Sequence, residues 1–447
     1  MQVEEKNMKK PERKIPVRPL YLLVLILFCA GSWAWLFYDR QQEEAVYADR
    51  KQQAYVMYRK KIYDEALDDC TACLKTHPED TDILLLAART CYMTGKYGST
   101  NTYCSKLLQI KPSESAMLLK AKAYEKDGKT EKAAEVLEDM PASKEAAALL
   151  LKLKGKYTIT YLALQYTSRW FEGPSGGQLA YGVENDLVSL YTAKGKKYLR
   201  GNFTWLGQPS PDGALTPAVT DGQFCFVDRD GNRRLVPDET FVSLGRMADG
   251  YAPAQQDGTW GYIDEALKKT HFEYSKAYPF VNGRALVQKD GRWLIINTTF
   301  ETCAELDCET VSEDEYQSAV HGDVIIGRAG GKARIYDLSG NRLSDFGADN
   351  IRVPEEKGGV IAFLQGNAWG FATQQGKVLI EPKYEDAHSF SQGYAAIKEN
   401  GKWGYIDKQG NLLIPCTFDD VCAFSASGTA WVKNSAGWNL LKLARYS

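Results

Sequence analysis

Gly401 to Pro415 reads GKWGYIDKQGNLLIP. Trp403 to Ile406 has the length and apolar character of a short strand. Asp407 to Gly410 is a turn signal, and Leu412 to Ile414 is a second apolar run. The stretch decides the fold because it recurs. With Trp403 as anchor and Gly410 seven residues on, relatives occur at Trp369 with Gly376, Phe224 with Gly231, Ala333 with Gly340 and Val188 with Gly195. Trp260 leads a copy that lacks the later glycine, Trp293 a degraded copy, and Trp438 a last fragment. The anchors 188, 224, 260, 293, 333, 369, 403 and 438 are separated by 36, 36, 33, 40, 36, 34 and 35 residues.

The other half of the unit recurs too. Its clearest copy is IEPKYEDAHSFSQGYAAIKENGK from Ile380, with echoes from Ile414 and from Phe272. It adds a further strand, at whose start Gly393 permits a close approach or a positive φ. A unit of three or four short strands cannot bury both faces alone, so neighbouring units must cover it. The expected fold for residues 156–447 is therefore an all-β repeat domain. A β-propeller of seven or eight blades is the simplest packing, and an open β-solenoid is the alternative. The array opens on the back half of a unit, Lys156 to Val183, and closes on the front half of one, Gly437 to Ser447. Phe171, Gly177 and Ala180 lie roughly on Phe390, Gly393 and Ala395. Together the two ends would complete a composite blade and remove free sheet edges. Eight blades follow if the Trp293 copy stands alone, and seven if it merges with a neighbour.

The pattern resembles the WG repeat family, also described as KWG repeats, over about 188 to 442. Trp-Gly-Phe/Tyr, the glycine at plus seven, Pro382 with Tyr384, Phe390, and Gly393 with Ala395 carry the resemblance. It implies an all-β repeat architecture and protein-interaction roles, commonly in bacteria and often beside membrane segments. It does not imply an enzymatic activity.

At the other end, Lys6, Lys9, Lys10, Arg13, Lys14 and Arg18 precede an uncharged run from Leu20 to Phe37. A buried helix of a soluble domain rarely avoids every charge over such a length. Residues 20–38 are expected to be a transmembrane helix or uncleaved signal anchor, with Trp33, Trp35 and Tyr38 at the far interface. The basic tail, residues 1–19, is then cytoplasmic and everything beyond is extracytoplasmic. A cleaved secretion signal is the alternative, although Trp33 and Trp35 crowd the weak small-x-small site at Ser32 and Ala34.

Residues 41–153 are rich in Ala, Leu, Lys and Glu, as helices are. Tyr63 to Tyr97 is 34 residues, Tyr97 to Thr130 is 33, and Pro78 to Pro112 is 34. This region resembles tetratricopeptide repeats. Ala54, Ala66 and Pro78 match small and terminating positions of the first copy. Ala88 and Pro112 match those of the second, with Thr100 departing from the usual alanine. Ala121, Tyr124, Gly128 and Ala133 match the third. Stacked helix pairs of this kind offer a face to a peptide or protein; the bland alternative is a spacer.

Formal charge is -2, from 55 basic and 57 acidic residues, which gives no footprint for nucleic acid. His77, His271, His321 and His388 show no ligand spacing, and no phosphate loop, GxSxG or dinucleotide fingerprint occurs. No catalytic, cofactor-binding or metal-ligating residue is assigned. The recurring acids Asp228, Asp264, Asp337 and Asp407, with Asn297 in the same place, read as turn-formers rather than a cation ring. Cys70 and Cys73, three apart on a helix, read as small buried residues rather than a redox pair. Ten cysteines leave disulfides open in an exported chain. Trp170, Trp205 and Tyr251 lie outside the anchor series and are candidates for gripping a peptide or a cell-wall glycan. The expected function is a membrane-anchored scaffold of the bacterial cell envelope that binds protein or peptide without a chemical step. A glycan-binding or glycan-modifying surface protein is the alternative, and a structural spacer the third.

Overall fold

A computed structural model describes residues 17–140, 143–161, 166–172, 178–234, 240–314 and 317–444, with the side chains of 17–23, 34, 161 and 166–172 excepted. The chain divides into two compact units, residues 1–146 and 147–447. Residues 1–16 of the basic tail lie outside these described residues, as do the side chains at 20–23 and 34 of the apolar run.

Seven helices occur among the described residues: α1 (Val17–Arg59), α2 (Tyr63–Thr76), α3 (Thr81–Met93), α4 (Tyr97–Ile110), α5 (Glu114–Lys126), α6 (Thr130–Glu138) and α7 (Lys144–Lys154). α1 is continuous from the apolar run into the first helix of the repeat array. Among the described residues no helix is long and apolar enough to cross a membrane. The large apolar side chains Val24 to Phe28, Trp33 and Trp35 to Tyr38 nevertheless stand open to solvent, Phe28 at 74% and Trp33 at 76% exposure.

The small residues read from the sequence do what the spacing requires. Ala54, Ala66, Ala88, Ala121 and Ala133 have no exposed surface, so paired helices close over them. Thr100 is also fully buried, and its hydroxyl donates to the Lys96 carbonyl at 3.2 Å, leaving no orphan donor. Each helix pair turns through the same bond. Ile62 N–H donates to Met57 O at 2.9 Å, Lys96 to Cys91 at 2.8 Å and Lys129 to Tyr124 at 2.9 Å. That closure puts the preceding residue in the left-handed region. Gly95 and Gly128 hold it with φ of 75° and 76°, but Lys61 holds it with φ of 63°.

The β unit is a multi-sheet repeat of the propeller or solenoid type. Eight sheets occur among its described residues. The seventh shows the plan: a two-residue strand (Asp386–Ala387), then Ala395–Glu399, Lys402–Ile406 and Leu412–Phe418, each antiparallel to its neighbour. The Trp anchor therefore opens the third strand of a sheet, and the sequence unit runs on into the next sheet. Because of this offset the last fragment lacks an outer strand. Tyr157–Tyr161 supplies it, pairing antiparallel with Gly437–Leu443 from Tyr157 opposite Leu443 to Tyr161 opposite Asn439. The Trp293 copy builds a complete four-stranded sheet of its own, from Lys276 to Leu306.

The anchors fill the space between successive sheets. Trp369 packs with Ala387 and Ile397 of the next sheet, Trp260 with Ala277 and Val287, and Trp293 with Val320 and Ile325. Trp438 of the eighth sheet packs with Ala180 and Tyr191 of the first, within a core that also holds Trp403. Gln178 Nε2 donates to Ala423 O at 2.7 Å across that same junction. Each of these indoles is less than one-tenth exposed and so removes a large apolar area from water. The turn acids behave as read. Asp407 Oδ1 accepts from Gln409 N at 3.0 Å and Asn411 N at 2.9 Å; Asp228, Asp337 and Asn297 repeat the pattern. Asp264 keeps its bond from Lys268 N at 2.8 Å.

Candidate functional site

A cavity of about 1020 Å³ is lined by residues from all eight sheets. Its construction follows from one repeated bond. The residue after each short first strand donates its N–H to the second strand. His388 donates to Ala396 O at 3.0 Å, Arg352 to Ala362 O at 2.9 Å, Cys422 to Trp431 O at 3.0 Å, Ser312 to Ile326 O at 2.8 Å and Tyr278 to Leu286 O at 3.0 Å. Gly207 and Gly245 make the same bond, each at 2.8 Å. The chain is thus pinned at an equivalent point in seven sheets, and the residues at or just beyond it line the cavity: Gln208, Arg246, Pro279, Glu313, Arg352 and His388.

The charged lining is mixed, with an acidic excess. Glu313, Asp314, Glu355, Glu356 and Asp420 face Arg246, Arg352 and Lys357. Arg352 pairs with Asp386 at 3.0 Å and lies 4.8 Å from the Trp369 ring centre. Lys276 reaches Glu313 at 3.3 Å. Two histidines complete the wall. His388 is half-buried, 5.0 Å from the Trp403 ring, and burial with the neighbouring Arg352 pushes its pKa down to about 4. His321 is 7% exposed, and burial pushes its pKa down to about 4. Its Nδ1 lies 3.6 Å from Asp314 Oδ2, whereas its Nε2 is buried with no hydrogen-bond partner.

The candidates taken from the sequence fall elsewhere. Tyr251 is partly buried in an aromatic cluster, 4.9 Å from Phe300 and 5.7 Å from Phe280. Trp205 is half-buried against Phe224 at 5.5 Å. The Trp170 and Phe171 side chains lie outside the described residues, as does Gly177. Cys70 and Cys73 are buried on α2, and burial pushes the Cys70 thiol up to about 12. The ten cysteines are free thiols. Among the described residues, no group of three or more His, Cys, Asp or Glu is placed to hold a metal ion. The cavity residues went unread because no motif joins them. One signal existed: each short strand ends on an apolar residue, followed by a position that varies freely among Gly, Tyr, Ser, Arg, His and Cys.

A model of the WG containing repeat matches residues 269–293, 369–403 and 403–438. The C-terminal region is thus WG-repeat-like, beside a helical region that is tetratricopeptide-like. No curated protein matches the chain. Among solved structures, the second TPR domain of human RPAP3, determined with an HSP70 peptide, is 20% identical. It covers 24% of this chain and 93% of its own, at a TM-score of 0.23. A eukaryotic initiation factor is 14% identical over 60% of this chain and 79% of its own, at a TM-score of 0.42. Kluyveromyces lactis Hsv2 is 10% identical over 63% of this chain and 97% of its own, at a TM-score of 0.35.

Proposed function

We propose that this chain is a membrane-anchored extracytoplasmic scaffold of a bacterial envelope, binding protein or peptide on its helical and β repeats without a chemical step. Residues 20–38 span the membrane, the basic tail stays in the cytoplasm, and the β unit is a closed eight-bladed propeller. The observation that carries the reading is α1. One helix bears the exposed apolar run and continues without a break into the first repeat pair. Exposed apolar surface on this scale needs a cover, and the uncharged stretch of sequence matches a bilayer in length. The propeller reading is supported by the contact of each sheet with the next and of the eighth with the first.

Topology is tested on the exposed thiol of Cys303. A membrane-impermeant maleimide should label the full chain in intact cells, and Cys303→Ser should lose the label. Labelling only after lysis would overturn the orientation. The scaffold itself is tested by cross-linking the full chain in cells and extracting it in detergent. Recovery of no cross-linked protein or peptide would overturn it.

A further inference from the structure

We propose that the cavity shared by the eight sheets takes a peptide segment that presents a cationic side chain, arginine or lysine. The inference rests on the scaffold reading and names the ligand chemistry of one of its surfaces. Size comes first. About 1020 Å³ is at the upper end of the ~300–1,000 Å³ typical of ligand pockets, enough for a short segment of chain rather than a folded partner.

Charge comes next. Five carboxylates line the cavity against three cations; from outside the lining Asp386 pairs with Arg352 and Lys276 with Glu313, so the acidic excess stands. The carboxylates keep acceptor capacity after their internal bonds. Glu356 Oε2 accepts from Gln392 N at 3.1 Å, and Asp420 Oδ1 accepts from Val421 N at 2.9 Å. Each carboxylate offers about four lone-pair sites, so both still have oxygen atoms for a ligand.

The third observation is His321. It is buried and neutral at physiological pH. Its Nδ1 lies 3.6 Å from the Asp314 carboxylate, so a neutral imidazole leaves that carboxylate's charge in place on this wall. Guanidinium and ammonium groups carry donors only, which suits carboxylates beside a neutral imidazole. The walls agree. Pro279, Val281, Val320, Val353 and Pro354 give an aliphatic lining that suits the methylene stem of such a side chain. The aromatic rings at the cavity, Phe424 and Trp438, are buried at 3% and 6% exposure and offer no open face for a sugar.

The test uses the full chain in detergent and three probes: acetyl-Ala-Ala-Arg-Ala-Ala-amide, the same peptide with Glu in place of Arg, and a chitin tetrasaccharide. Calorimetry should show the arginine peptide binding at least tenfold more tightly than the glutamate peptide. The double variant Glu356→Gln with Asp420→Asn should weaken arginine binding at least tenfold. Both replacements keep the internal acceptors; Asn350 already makes the equivalent bond to Ile351 N at 2.9 Å. Equal binding of the two peptides, no arginine binding at millimolar concentration, or affinity unchanged in the double variant would overturn the proposal, as would preference for the tetrasaccharide. Cross-linked partners retained by the double variant, with no arginine binding in either form, would remove this cavity assignment and leave the scaffold standing.

Discussion

At the residue scale, the glycine that follows Trp260, Trp369 and Trp403 marks a local deformation of its own sheet. A Cβ on Gly404 would stand 2.5 Å from Ile414 O and 2.7 Å from Cys416 N. Those atoms come close because the outer strand bulges: Trp403 faces Phe418, while Tyr405, two residues on, faces Ile414. Gly370 and Gly261 sit at the same bulge. Where Leu294 replaces the glycine, pairing is regular, with Trp293, Leu294 and Ile295 opposite Leu306, Glu305 and Ala304. Asn439 likewise pairs regularly with Tyr161. Gly404→Ala should therefore cost about 1–3 kcal/mol through overpacking against backbone, read as a lower denaturation midpoint of the β unit. Gly393 differs, since no atom lies within 4 Å of an added Cβ and its φ of 81° is the constraint. In the helical unit, Lys61 occupies the left-handed position that glycine fills in the other two turns. Lys61→Gly should stabilise that unit by about 1 kcal/mol. No gain in urea midpoint would show that the strain is relieved elsewhere.

At the element scale, Asp80 ties α1 to α3. It caps α3 by accepting from Asp82 N at 2.9 Å and Ile83 N at 3.1 Å. It also pairs with Lys51 of α1 at 2.5 Å and accepts from the Tyr47 hydroxyl. Burial alone would raise its pKa, but the bonds from Lys51, Tyr47 and Ile83 outweigh that and hold it at about 2. The folded value lies below the unfolded one, so the unfolded chain takes up the proton first. The contribution is complete above about pH 5 and is lost progressively as pH falls through the unfolded value near 4 to the folded value of about 2. Helical-unit stability should therefore drop between pH 4.5 and about 2.5, and Asp80→Asn should flatten that slope. An unchanged slope would remove Asp80 as its source. Much of this scale was legible in the sequence. The 34-residue spacing located Ala54 to Ala133 as contact points, and the weak conservation of bulk at Val188 and Ala333 still marked positions between sheets. The cap network was not legible, because Tyr47, Lys51 and Asp80 share no period. Neither was the cavity, since insertions of differing length carry Asp314, His321 and Glu356 into it.

At the scale of the whole β unit, the offset between sequence repeat and sheet makes the two chain ends mutually dependent. Thr158 lies opposite Lys442 in the composite sheet. Cysteines at both positions should form a disulfide under mild oxidation. Closing a loop of nearly the entire unit should then stabilise it by about 5 kcal/mol, visible as a Tm that falls on reduction. Failure to cross-link would argue for an open array. The truncated copies at the two ends announced this pairing in the sequence, since neither could complete a sheet alone. The bond from Tyr394 Oη to Lys154 O at 3.0 Å, which seats the end of α7 beside the seventh sheet, was unreadable because it joins unrelated segments.

The borrowed strand also sets a clock. Tyr157–Tyr161 is made well before its partner Gly437–Leu443. At about 5–20 residues per second, the first strand waits roughly 15–60 s with an unpaired edge. Until then a nascent chain carries two sticky ends, the interval in which chaperones or a neighbouring nascent copy could capture it. A premature stop that removed only the final strand would leave that edge permanently open, so even a short C-terminal deletion should yield aggregates rather than a slightly smaller protein.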